Sequence, residues 1–155
     1  MITFYRNFLL LWSLLLSFSS NAADESLYLV YDEKVIAIPL ASLRLQSTTE
    51  LEIFSPFRNK EITVHGVFLE SLIKQYLLIN PQSIKLVAVD NYSVTMNNWQ
   101  ERHWLLVTKE DGKPITLRQH GPIRLIEVEY GDRDPANLRN FNDWIWMIKR
   151  IEVIK

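Results

Sequence analysis

Short β-rich runs follow one another through most of this 155-residue chain, each closed within a few residues by a turn signal. Residues 27–31 and 35–40 flank the charged turn Asp32-Glu33-Lys34, which is a hairpin pattern. Residues 51–54 and 61–65 form two further strands, the second ended by Gly66. From Val67 the apolar side chains fall at Phe68, Leu69, Leu72, Ile73 and Tyr76, a helical spacing that Asn80-Pro81 stops. Residues 83–89 and 92–96 read as two strands around the turn Asp90-Asn91. Asn97 or Asn98 then caps a short helical turn over 99–102.

Further along, residues 103–108 and 115–117 flank Glu110-Asp111-Gly112-Lys113, and Asp-Gly is a strong hairpin signal. Residues 123–130 alternate, with Ile126, Val128 and Tyr130 on one face and Glu127 and Glu129 on the other. A polar loop over 131–142 leads to an expected helical turn at 143–149 and a last strand at 151–154. The expected class is α+β, mostly antiparallel strands with few short helices.

The start of the chain is different. Arg6 is the only charged side chain before Asp24, and residues 8–18 (FLLLWSLLLSF) are almost wholly apolar. Ser20-Asn21-Ala22 places small residues where a signal peptidase reads them. The apolar run is shorter than the ~20 residues a spanning helix needs. Residues 1–22 therefore read as a cleavable signal peptide and 23–155 as a single exported domain, located in the periplasm.

Cysteine is absent. An exported domain without disulfides must hold itself together by core packing, and thiolate metal sites and nucleophilic cysteine chemistry are excluded. With 17 basic and 18 acidic residues the net charge is −1, without the basic footprint that nucleic-acid binding requires. His65, His103 and His120 show no paired metal-ligand spacing. There is no G-x-S-x-G elbow, no Walker loop and no G-x-G-x-x-G.

Three segments carry candidate chemistry. In Phe141-Asn142-Asp143-Trp144-Ile145-Trp146, two tryptophans sit two residues apart beside a polar loop. Either both are core, or one is core and the other a stacking plate for a flat ligand. In His120-Gly121-Pro122-Ile123-Arg124, the glycine and proline shape a tight backbone approach. Arg124 suits a planar, oxygen-bearing or anionic partner; its plainer alternative is a surface arginine paired with Glu127 or Glu129. Asp90-Asn91-Tyr92 is a turn whose polar groups and aromatic ring can line a pocket.

These segments fall in a familiar order: G-V-F-L-x-x-L-I (66–73), V-A-V-D-N-Y-S-V (87–94), L-L-V-T-K-E-D-G-K-P-I (105–115), H-G-P-I-R-L-I (120–126) and W-I-W-M-I-K-R-I-E-V (144–153). The sequence resembles the molybdopterin-binding domain of sulfite-oxidase-type oxidoreductases, in a short stand-alone exported form, over residues 61–153. Enzymes of that family hold molybdenum through a protein thiolate, and this chain has none. In this respect it is similar to exported pterin-binding regulators of the PruR type.

That resemblance implies a sulfite-oxidase-like fold that binds a reduced pterin without molybdenum or any other metal. It implies a regulator and not an enzyme, one that docks on the periplasmic domain of an inner-membrane diguanylate cyclase/phosphodiesterase in cyclic di-GMP signalling. Arg124, in the family's H-G-P-x-R stretch, would donate to the ring carbonyl. His120, Asn91 and Tyr92 lie in segments bordering the family's pocket. On chemistry alone, Trp144 or Trp146 supplies the stacking plate, and Asp143 accepts from the guanidinium-like edge of the pterin. Two other readings stand beside this one. One is a molybdenum-cofactor oxidoreductase, or a subunit of one, lacking the thiolate; the other is a ligand-free protein-interaction module.

Overall fold

A computed structural model describes residues 25–154; the signal peptide expected at 1–22 lies outside them. Ten strands form two sheets. The first takes β1 (Ser26–Tyr31), β2 (Lys34–Pro39), β5 (Ser83–Ala88), β6 (Ser93–Asn97) and β10 (Ile148–Ile154) in the order β2-β1-β10-β5-β6. The second takes β3 (Thr49–Ser55), β4 (Lys60–Phe68), β7 (Trp104–Glu110) and β8 (Lys113–Pro114) in sequence order. β9 (Arg124–Glu127) joins it by pairing with β7. Every strand pair is antiparallel except β1 with β10. The class is therefore α+β, with sheets of mostly antiparallel strands and two short α-helices.

Burial follows the sequence periods. In β1, Leu27 and Leu29 are buried while Tyr28 and Val30 stay half-buried, the period-two pattern of a one-sided sheet. Residues 104–108 of β7 are buried without interruption, so both faces of this strand are covered, and its edges are paired by β4 on one side and by β8 and β9 on the other. Side chains from both sheets form one core cluster, including Leu29, Leu86 and Ile151 from the first and Val64, Leu105 and Leu125 from the second.

Helix α2 (Leu69–Leu77) buries Leu69, Leu72 and Ile73, as the apolar spacing predicts. Leu78 closes it in the left-handed region, its N–H bonded to Lys74 O. The other helix, α1 (Leu40–Gln46), is not anticipated by the sequence reading, which runs β2 into Leu40. Its core contribution is only Leu40 and Leu43, too short a stripe to stand out.

Four further expectations are corrected. Gly66 does not end β4, which continues to Phe68 through an irregularity at His65/Gly66. A Cβ on Gly66 would lie 2.5 Å from Leu106 O, so the glycine permits the close approach of β4 to β7. The run expected over 115–117 is not a strand. Only Lys113 and Pro114 pair with β7, and a 3₁₀ turn over Leu117–Gln119 follows, opened by a capping box between Thr116 and Gln119. The alternation over 123–130 fails because Glu127 is buried at 5% exposure, ion-paired to Arg133 and approached by Arg102 at 3.6 Å. The helical turn expected over 143–149 is an extended segment. It is held to β9 by Leu125 N–H to Ile145 O, Ile148 N–H to Ile123 O and a bridge between Arg124 and Trp146. Pairing with β9 outweighs the weak helical pattern there, and Met147 at φ 55° breaks any helix.

Candidate functional site

The extended segment after the 131–142 loop carries both tryptophans to the junction of two cavities. The larger, about 320 Å³, is lined by Phe57, Ala88, Asp90, Tyr92, Phe141, Asn142, Trp144, Ile145 and Trp146. The smaller, about 130 Å³, lies on the other side of Phe57, Trp144 and Trp146 and reaches His120 and Arg124. The three aromatics are thus the wall common to both.

The tryptophans have different surroundings. Trp144 is 5% exposed and packs edge-on against Phe141 at 5.2 Å and Tyr130 at 6.0 Å. Trp146 is half-buried. The imidazole of His120 stacks on it at 4.9 Å, and Phe57 meets it edge-on at 5.0 Å. Trp144 thus belongs to the core, whereas Trp146 is a half-buried ring at the cavity wall. His120 reaches its place because residue 120 is left-handed (φ 64°) at the end of the 3₁₀ turn. The backbone then passes so close to Ile115 O that a Cβ on Gly121 would lie 2.5 Å from it.

Arg124 is not paired with Glu127 or Glu129. It donates from Nη2 to Glu110 Oε2 at 2.8 Å and to Gln119 O. Arg58 approaches the same carboxylate from Nε at 3.2 Å. Two guanidiniums thus share one carboxylate, and the trio carries a net positive charge. Burial pushes the Arg124 pKa below its ordinary value, while Glu110 raises it and Arg58 lowers it. The Arg124 Nε is buried without a partner among the described residues, so one donor of the guanidinium remains uncommitted.

On the rim of the larger cavity, Asp90 Oδ1 accepts from the Tyr92 N–H at 3.0 Å, and the Tyr92 hydroxyl donates to Asn142 O at 3.4 Å. Asp90 and Tyr92 are both exposed. Asn91 does not line either cavity; at φ 69° it is the left-handed residue of the turn. Asp143 also lines neither. It faces a third groove, where its Oδ2 accepts from Arg102 Nη1 at 3.0 Å.

The structure therefore brings Trp144, Trp146, Tyr92, His120 and Arg124 to one double cavity and leaves Asn91 and Asp143 outside it. Sequence reasoning missed Phe57, Arg58 and Glu110, and it singled out Asn91 and Tyr92 from the Asp90-Asn91-Tyr92 turn where Asp90 and Tyr92 line the cavity. Asp90 was legible as the neighbour of Tyr92 in the same turn. Phe57 and Arg58, in the β3–β4 turn, had no sequence signal pointing to residues 120–146. Among the described residues no group of three or more His, Asp or Glu side chains is arranged to hold a metal, and no helix is long and apolar enough to cross a membrane. No protein-family model matches the chain, and no curated protein matches it.

Proposed function

We propose that this protein is an exported pterin-binding regulator with a sulfite-oxidase-like fold. In this reading it binds a reduced pterin without molybdenum and acts on the periplasmic domain of an inner-membrane diguanylate cyclase/phosphodiesterase. The observation that carries the reading is the larger cavity, whose lining combines the half-buried Trp146 and Phe57 with Asp90 and Tyr92. Its volume falls in the range of roughly 300–1,000 Å³ typical of small-molecule sites.

A pterin is a flat bicycle with an amino-pyrimidinone edge. Trp146 offers a ring to stack on, and Asp90 offers a carboxylate that accepts from adjacent N–H groups, the role chemistry had assigned to Asp143. The pterin's substituent would point past the aromatic wall toward Arg124, whose free Nε can donate to an oxygen. The residues do not fit thiolate-held molybdenum, since the chain contains no cysteine. A pterin held without metal fits the donor set.

Titration with 6-methyl-dihydropterin, followed by tryptophan fluorescence, tests the reading. Saturable quenching in the native protein, with loss in Trp146→Ala, is the expected result. A protein that shows no saturable response, and comes from its native periplasm without a pterin, refutes it.

A further inference from the structure

We infer that the outer edge of β6 is a docking site for an extended peptide segment of a partner protein, which adds to the first sheet as a sixth strand. This rests on the proposed function only in supplying the regulator's required partner with a place to bind.

β6 is an end strand, and no described element pairs with its outer side. Ala88 N–H bonds to Tyr92 O and Asn98 N–H to Gln82 O. Those bonds flank the β5–β6 ladder, so the alternation of an antiparallel pair turns the N–H and C=O groups of Ser93, Thr95 and Asn97 away from β5. Among the described residues they form a row of unpaired backbone donors and acceptors.

The other edges are protected. β2 opens with Lys34 and ends at Pro39. β3 carries Glu50 and Glu52. β8 is two residues long and contains a proline. The outer edge of β9 is covered by the 145–148 segment. Charges, prolines and brevity are the usual guards of a sheet edge. β6, with the sequence SVTMN, has none of the three.

A groove of about 330 Å³ is lined by residues 94–97 of β6 together with Trp99, Arg102, Trp104 and Asp143. Two of its lining residues carry buried polar atoms without a partner among the described residues: the Trp104 Nε1 donor and the Asp143 Oδ1 acceptor. Trp104 is only 3% exposed, so its lone N–H is costly to leave unmet. Both unmet atoms are buried in the wall of the groove, close to the free strand edge. A peptide backbone offers the complement of the outward N–H and C=O groups of Ser93, Thr95 and Asn97, which commits the occupant to an extended chain. Alternate side chains of the added strand would lie beside the more buried Val94 and Met96 or beside exposed Ser93, Thr95 and Asn97. The preferred sequence therefore alternates apolar and polar residues.

The test uses the isotope-labelled domain and an acetylated, amidated six-residue peptide of alternating valine and threonine. Saturable shifts are expected in the amides of residues 93–97 and in the Trp104 indole N–H. Thr95→Pro removes one outward N–H, which an edge strand tolerates, and should weaken binding at least tenfold. It should leave pterin affinity and thermal midpoint unchanged. A peptide N-methylated at alternate residues should also fail. Three results overturn the inference: no saturable shifts, shifts confined to the tryptophan cavities, or equal binding by Thr95→Pro. Concentration-dependent dimerisation through β6 without peptide binding would overturn it too, by making a second copy the occupant. Loss of pterin binding with peptide binding intact would sink the proposed function alone.

Discussion

The His120 imidazole stacks on the Trp146 indole with centroids 4.9 Å apart and planes 23° from parallel. His120 is itself exposed, so one face of Trp146 is occupied by a ring that solvent can reach. A flat ligand on Trp146 would either add to this stack from the larger cavity or displace the imidazole. Trp146→Ala should weaken pterin binding at least tenfold, which corresponds to about 1.4 kcal/mol. His120→Ala should change affinity by less. Fluorescence or calorimetric titration of both variants, with circular dichroism to establish that the fold persists, distinguishes plate from cover.

Trp144 should behave oppositely. Its burial against Phe141 and Tyr130 makes it a core residue. Trp144→Ala should cost about 3–5 kcal/mol of stability, read as a fall in denaturant midpoint. A variant that unfolds like the native protein and only loses ligand would reverse the roles of the two tryptophans.

Asp90→Ala should weaken pterin binding several-fold while leaving the thermal midpoint within a degree or two, because the side chain is exposed and its one internal bond is to the adjacent turn. Asp143→Ala should leave pterin affinity unchanged, since that residue lies in a different groove. Reversal of the two results would return the edge-recognition role to Asp143.

Glu110 is the single carboxylate between Arg58 and Arg124. Glu110→Gln leaves two guanidiniums close together in a largely buried site and should destabilise the fold by about 3 kcal/mol. Adding Arg58→Gln should recover part of that loss. Urea unfolding of the single and double variants measures the coupling; strict additivity would show that the trio does not act as a unit.

Much of the sheet architecture was legible because its strands alternate or carry strong turn signals. The hairpin at 32–34 and helix α2 follow directly from Leu27, Leu29 and the Leu69–Leu72–Ile73 spacing. What escaped was decided by partners far away in sequence. Residues 143–149 are extended because β9 offers them backbone bonds, and Glu127 is buried because Arg133, from the following loop, neutralises it. The site was half legible for the same reason. Tryptophans and the H-G-P-I-R segment announce themselves, whereas Phe57 and Arg58 enter the cavity only through the fold of the β3–β4 turn.

The pterin proposal is tested most directly by mass spectrometry, with metal analysis, of the protein isolated from its native cells. A reduced pterin near one equivalent, with molybdenum far below it, is the expected result. Stoichiometric molybdenum, or a protein that carries no pterin and takes up none when it is supplied, would contradict it.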